Sequence, residues 1–225
     1  MAEYRWNQSE MAAGYDSAAE FIHPHYRQIQ DRTIDLFGKL NQSQRRIIDL
    51  GCGSGRWAER CLERFPDVSL ILIDQSAAFL ELARQRLGRF AGQVEFLHYR
   101  LQEDWHQAIR EPVQLIVSMS AIHHLDPQEK RQLYRRCYQV LAPGGLFLNG
   151  DEVRPDSDAE YLAECQRWGQ WMQAAVAAGQ ISPAMQDGLK KWQQRNIEEF
   201  GQPRQSGDDC HETRDQQLEY LRMGG

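Results

Sequence analysis

The sequence predicts an α/β fold, a doubly wound parallel sheet of five strands in the order 3-2-1-4-5, with a helical cap inserted after the fifth strand. Three observations predict it. Short apolar runs alternate with helical stretches between residues 46 and 149. The first run feeds a glycine-rich turn that opens directly into a helix. Runs one, two and four are almost continuously apolar, as strands buried on both faces must be. A chain of 225 residues, 41% hydrophobic and 26% charged, is long and apolar enough to bury a core of this size. Its 26 Lys and Arg against 32 Asp and Glu leave a net charge of −6, which argues against a strongly basic nucleic-acid binder. No apolar run approaches the roughly 18–20 residues of a membrane span, and Met1–Trp6 lacks the layout of a signal peptide. The expectation is a soluble, cytoplasmic protein with no membrane partner.

The elements follow in order. The first forty residues read as helix: Ala12, Ala13, Ala18 and Ala19 favour it, and Tyr26, Ile29, Ile34, Leu36 and Phe37 cover one face of a second helix. Arg46–Leu50 is the first strand, and Trp57–Phe65 a helix closed by Pro66. Val68–Ile73 is the second strand, followed by a helix from Ala77 to about Phe90. Val94–His98 and Val113–Val117 are strands three and four; a helix over Pro127–Leu141 leads to strand five, Gly145–Asn149. From Asp156 to about Phe200 the apolar spacing turns helical, with Trp168, Trp171, Met172 and Val176, then Met185, Leu189 and Trp192. Two helices joined near Gly179–Pro183 would form the cap. Gly201–Asp209 is a polar loop, and His211–Arg222 a last helix.

Chemistry concentrates first in Asp49-Leu50-Gly51-Cys52-Gly53-Ser54-Gly55. Alternate glycines permit a tight turn and let a ligand lie against bare backbone, while the following helix offers its unpaired N–H groups. A P-loop would need Gly-Lys-Ser/Thr here, and the dinucleotide fingerprint a small residue where Arg56 stands, so neither nucleotide motif is present. Asp74 ends the second strand nineteen residues after Gly55, the spacing that places a carboxylate beside the loop within reach of a ribose diol. Alone, Asp74 would read equally well as a cap of the next helix.

On these residues, with Ile73-Asp74-Gln75-Ser76, Ser118-Met119-Ser120-Ala121-Ile122-His123-His124-Leu125 and Leu141-Ala142-Pro143-Gly144-Gly145, the chain from about Tyr15 to Gly225 resembles the class I S-adenosylmethionine-dependent methyltransferases, whose sheet is Rossmann-like. The resemblance implies that Gly51–Gly55 holds the methionine end of S-adenosylmethionine, that Asp49 faces the amino-acid end or the loop, and that Asp74 binds the ribose hydroxyls. It makes Pro143-Gly144-Gly145 a structural turn. It implies cofactor contacts from Tyr15, Asp49, Gly51, Cys52, Gly53, Gly55, Asp74, Gln75, Leu101, Gln102 and Ser118, and no need of NAD. By the same resemblance, residues 1–44 are N-terminal helices forming a lid, 45–155 the cofactor-binding core, 156–209 the cap and 210–225 the final helix of the core.

Two departures stand out. After strand three the family usually places an acidic residue for the adenine amino group, where this chain has Arg100 and Leu101; either Gln102 or Glu103 supplies the acceptor, or backbone and apolar contact hold the base. The two antiparallel strands usual after the last helix are absent from the sequence, which leaves strand five as an edge and a homodimer through it, or through the cap, as an expectation.

His123 and His124 follow strand four at the carboxyl edge, where such sheets bind ligands. Either is a candidate catalytic base for a nucleophilic acceptor, or one packs beneath the cap and the other is merely exposed. Methyl transfer from a sulfonium needs no base when alignment suffices. Tyr15 either closes an aromatic face over the sulfonium or simply packs. Trp168, Trp171 and Trp192 line an acceptor pocket or hold the cap in place. Lys130, Arg131, Arg135 and Arg136 read as a solvated helix face. No metal is expected: the five cysteines form no C-x-x-C pair, and adjacent histidines seldom point at one ion. The function read from the sequence is methyl transfer to a small-molecule acceptor. A tRNA-modifying methyltransferase and a non-catalytic cofactor-binding regulator are the alternatives.

Overall fold

Five strands, every neighbouring pair parallel, form one sheet in the expected order β3-β2-β1-β4-β5. In the computed structural model, which describes residues 5–39 and 45–224, these are β1 (Arg46–Leu50), β2 (Ser69–Asp74), β3 (Val94–His98), β4 (Val113–Met119) and β5 (Leu141–Gly150). The helices are α1 (Ser9–Ile22), α2 (Tyr26–Gly38), α3 (Arg56–Arg64), α4 (Ala77–Arg86), α5 (Pro127–Val140), α6 (Asp158–Ala177), α7 (Pro183–Gln193) and α8 (Arg214–Gly224).

Side chains alternate across the strands and so build two cores. Ile47, Leu70, Leu72, Leu115 and Val117 meet α2, α3 and α4 through Phe37, Trp57, Leu62 and Leu80. Ile48, Leu50, Ile71, Ile73 and Ile116 meet Trp105, α5 and α8 through Leu133, Cys137 and Tyr220. A third, smaller cluster joins α1, α6 and α7 around Ala18, Ile22, Met172, Ala175 and Met185. All five cysteines are buried and unpaired. Among the described residues no helix is long and apolar enough to cross a membrane.

Local chemistry sets the boundaries. Asp126 starts α5 with a capping box: its Oδ1 accepts from the amides of Gln128 and Glu129 at 2.8 and 2.9 Å, and Glu129 Oε2 accepts from the Asp126 amide at 3.0 Å. With Pro127 at the first helical position, this fixes the start of α5 three residues beyond His124. The helix after β2 ends at Arg86, earlier than expected, because the chain tightens into a 3-10 turn over Gly88–Gln93. β5 begins four residues early, since Leu141 already pairs with Val113 before an irregularity in the register. α8 begins at Arg214 rather than His211, leaving His211 and Glu212 in extended coil where Arg154 N donates to Glu212 O at 3.0 Å.

Candidate functional site

At the carboxyl end of β1, Gly51, Gly53 and Gly55 all take the left-handed conformation, at φ of 68°, 52° and 76°. Gly51 admits no side chain, because a Cβ there would lie 2.4 Å from that of Ala121, whereas a Cβ at Gly53 would meet nothing within 4 Å and would only fill the space above the loop. The amides of Gly51 and Cys52 both donate to Ile73 O, at 2.8 and 3.1 Å, and so tie the loop to the end of β2. Asp74 braces it from the other side: Oδ2 accepts from Gly53 N at 2.9 Å and Oδ1 from Ser76 N at 2.8 Å. Burial raises the Asp74 carboxyl against those two bonds. Asp49 is buried on β1 with Oδ2 unpartnered, and burial, then the neighbouring Asp74, pushes it up to about 8.

The amino-terminal helix closes over this loop. Asp16 on α1 accepts from Arg56 Nε at 2.8 Å, from Arg86 Nη2 at 2.9 and 2.8 Å, and from the Ser54 hydroxyl, so one carboxylate clamps α1 to the loop, α3 and α4. Trp6, Tyr15 and Phe79 form an aromatic cluster along the same rim, with centroids 5.1 to 5.7 Å apart and Tyr15 edge-on to the other two. A cavity of about 1070 Å³ runs from Asp49, Gly53 and Asp74 to a wall of Trp168, Met172, Met185, Leu189 and Trp192.

The far end of that cavity holds an unusual polar cluster. Ser120, a non-glycine residue at φ 48°, turns the chain after β4 and aims His123 inward. His123 Nδ1 lies 2.6 Å from Asp151 Oδ1 and 3.0 Å from Glu152 Oε2, and Asp151 Oδ2 also accepts from the His123 amide at 2.9 Å. Burial works against a charge on His123, but Asp151 and Glu152 outweigh it and hold the imidazole protonated well above its ordinary range. His23 Nδ1 meets Glu152 Oε1 at 3.0 Å, and Tyr15 Oη meets His23 Nε2 at 2.8 Å, which links the cluster back to α1.

Segment 205–212 crosses directly above the two histidines. Gly207 N donates to His124 O at 2.8 Å and Cys210 N to His123 O at 2.7 Å. Lys130 pins the segment from α5, its ammonium bonded to Glu212 and to Cys210 O. Lys130 is fully buried, so the solvated face expected of this helix does not hold there; the carboxylate that buries it lies eighty-two residues away. The crossing sets Asp209 Oδ1 3.7 Å from His123 Nε2 and 3.4 Å from His124 Nδ1. The adjacent histidines therefore converge on one carboxylate.

Comparison with known proteins agrees with the geometry of the loop. Residues 47–145 match the sequence profile of a methyltransferase domain family. Over this stretch the chain resembles a class I S-adenosylmethionine-dependent methyltransferase domain. An uncharacterised methyltransferase of Oceanobacillus iheyensis is 27% identical over 152 residues, covering 67% of this chain and 64% of its own length. A carboxy-S-adenosyl-L-methionine synthase of Trichodesmium erythraeum is 31% identical over 137 residues, or 59% of this chain and 52% of that protein. The chain thus spans less than two-thirds of either relative. In fold it is similar to an amino pentose methyltransferase from Micromonospora echinaspora solved with S-adenosylmethionine bound, at TM-score 0.53 and 22% identity, over 63% of this chain and 57% of that one.

The residues of the domain fit that cofactor. The orphaned Asp49 oxygen suits a cationic amino-acid end, and the open space over Gly53 admits a ligand against backbone. Of the residues the sequence points to, Tyr15, Asp49, Gly51, Cys52, Gly53, Asp74, Gln75, Leu101, Gln102, His123 and His124 line the cavity. Two do not. Gly55 packs towards Ala83 and Leu87 of the α4 side, and Ser118 spends its hydroxyl on Leu50 O at 2.9 Å, strutting β4 to β1. Of the two acceptors proposed for adenine, Glu103 is engaged with the Arg100 amide at 2.8 Å. Trp168 and Trp192 line the cavity and also pack against each other, tilted, with centroids 4.9 Å apart, while Trp171 stays half exposed, its indole N–H on Phe21 O at 2.7 Å. Asp16, Asp151, Glu152 and Asp209 were missed. Each acts on residues far off in the chain, and no local motif marks them.

Proposed function

We propose that the chain transfers a methyl group from S-adenosylmethionine to a small-molecule acceptor held beneath α1, α6 and α7. The observation that carries this reading is the continuity of the cavity, which joins the Asp49–Gly53–Asp74 cradle to the apolar wall of α6 and α7. At about 1070 Å³ it exceeds the roughly 300–1,000 Å³ of common ligand sites, which leaves room for a compact acceptor beside the cofactor. The bound cofactor supplies an electrophilic methyl group on a sulfonium sulfur. Asp49, Gly53 and Asp74 orient it, the Trp6–Tyr15–Phe79 rim excludes water, and Tyr15 presents a ring suited to a cation. Alignment is the chain's main contribution, because the leaving group is already activated. The methyltransferase name of the Oceanobacillus relative and the bound cofactor of the structural neighbour support the reading.

The test is calorimetry with S-adenosylhomocysteine, followed by mass spectrometry of methyl transfer to a panel of small hydroxyl, amine and carboxylate compounds, with bulk tRNA as a separate arm. Binding of the product together with methylation in the small-molecule arm is expected. Failure to bind S-adenosylhomocysteine, or transfer confined to tRNA, would overturn the proposal.

A further inference from the structure

We infer that His123, His124 and Asp209 form a binding site for a divalent transition-metal ion, open towards the cavity, in which His123 Nε2, His124 Nδ1 and Asp209 Oδ1 are the ligand atoms. The three lie within 4.8 Å of one another and all three residues line the cavity. Their separations carry the argument. Asp209 Oδ1 stands 3.7 Å from His123 Nε2 and 3.4 Å from His124 Nδ1, beyond the 2.7–3.2 Å at which an N–H···O bond normally settles. Two ligands each about 2.0–2.2 Å from one ion at a tetrahedral angle stand about 3.3–3.6 Å apart.

The supporting groups are those that a metal centre needs. His123 Nδ1 is engaged with Asp151 Oδ1 at 2.6 Å, which turns the lone pair of Nε2 towards Asp209; a carboxylate behind a ligating imidazole fixes its tautomer and raises its basicity. Asn196 Nδ2 donates to Asp209 Oδ2 at 3.0 Å, leaving Oδ1 for the ion. His211 lies within the same reach of His123 and Glu152, with Nδ1 against the Tyr161 hydroxyl and Nε2 buried without a partner. Charge points the same way. Asp151, Glu152 and Asp209 converge here, and among the described residues their ion pairs are all with histidine, never with lysine or arginine. A divalent ion held between these groups compensates the carboxylates.

Two imidazoles and one carboxylate suit zinc, iron(II) or cobalt(II) better than magnesium or calcium, which prefer all-oxygen sites. Three protein ligands leave positions open to the cavity. If that cavity is the acceptor chamber proposed above, on which this step rests, the acceptor is a small molecule that presents an oxygen donor to the ion.

The test uses the 225-residue chain freed of metal by chelator, with cobalt(II) as the spectroscopic probe and zinc(II) as the calorimetric one. One equivalent of cobalt is expected to bind with the visible absorption of a four- or five-coordinate ion and to be displaced by zinc. Asp209→Asn and His124→Asn should each weaken zinc binding at least about 100-fold, and Asp151→Asn by about 10–100-fold. His124→Cys, which keeps a ligand atom, should add a thiolate-to-cobalt charge-transfer band that a merely structural residue would not give. S-adenosylhomocysteine affinity on the same samples reports that each variant is folded and tests the methyltransferase reading separately. A chain that binds S-adenosylhomocysteine but neither metal overturns the site and leaves that reading intact. Zinc affinity unchanged in both asparagine variants, or no charge-transfer band in cobalt-loaded His124→Cys, overturns the assignment of ligands.

Discussion

At the scale of single residues, the two carboxylates of the cradle behave differently. Asp74 has both oxygens on backbone amides and retains lone pairs for a ribose diol. Asp74→Ala should weaken S-adenosylhomocysteine about 10–100-fold, the loss of charge-assisted hydrogen bonds worth about 1.5–3 kcal/mol; calorimetry with unchanged affinity would remove Asp74 from the site. Asp49, raised to about 8 by burial and by Asp74, is largely protonated in the ligand-free protein at pH 7. A cationic amino-acid end placed beside it draws the proton off. Binding at pH 7 should therefore release close to one proton, fewer as pH rises past 8, and none in Asp49→Asn. Calorimetry in buffers of different ionisation enthalpy measures this, and a buffer-independent heat at pH 7 would contradict it. The sign for folding is the reverse of an ordinary carboxylate. The folded chain holds this proton after the unfolded chain has lost it, so Asp49 lowers stability progressively as pH rises from about 4 to 8. Asp49→Asn should flatten that slope in denaturant titrations. Asp49 and Asp74 were legible in sequence because both end strands beside a glycine loop, where spacing alone fixes their neighbours. Asp151 and Glu152 follow a strand in the same way, yet no motif marks them, and only the fold shows that they face His123.

At the scale of elements, the five strands and most of the helices were legible because their apolar periods are strong and the crossovers are short. What the sequence could not show was the return of segment 205–212 over the histidine loop, which depends on a buried ion pair between α5 and coil. Lys130 read as one of four basic residues on an exposed face, and His211 as part of a helix. Both readings fail for one reason: the bond to Glu212 draws Lys130 inward and keeps the chain extended up to Arg214. Lys130→Met leaves a buried carboxylate uncompensated and should cost about 3–5 kcal/mol, whereas Lys130→Met with Glu212→Leu should recover much of that loss. Urea unfolding of the two variants measures the difference. Equal destabilisation in single and double variants would show that the pair does not anchor the segment. The Asp16 clamp has the same long-range character, and Asp16→Ala should loosen α1, raising its susceptibility to limited proteolysis and weakening S-adenosylhomocysteine.

At the scale of the molecule, the three apolar clusters explain what ligand binding must do. Two lie on opposite faces of the sheet and share its strands, so they unfold together. The third joins α1, α6 and α7, shares no residue with the others, and meets them at the cavity and through the Asp16 clamp. A ligand that fills the cavity touches the cradle on β1 and β2, the rim on α1 and the wall on α6 and α7 at once. Saturation at about 100 times Kd stabilises the folded chain by about 2.7 kcal/mol. For a domain of this size that should raise Tm by about 5–10 °C with S-adenosylhomocysteine. The local effect is the sharper test. Backbone amides in β1 and β4, buried in the main cores, should exchange only by global unfolding, whereas those of α1 and α6, in the small satellite core, and of the peripheral segment 205–212 should exchange through local opening. Hydrogen exchange should therefore slow further in α1, α6 and 205–212 than the global gain accounts for. Protection confined to the Gly51–Gly55 loop would mean that the cofactor occupies the cradle without drawing these helices down, and that α1, α6 and α7 do not close the chamber.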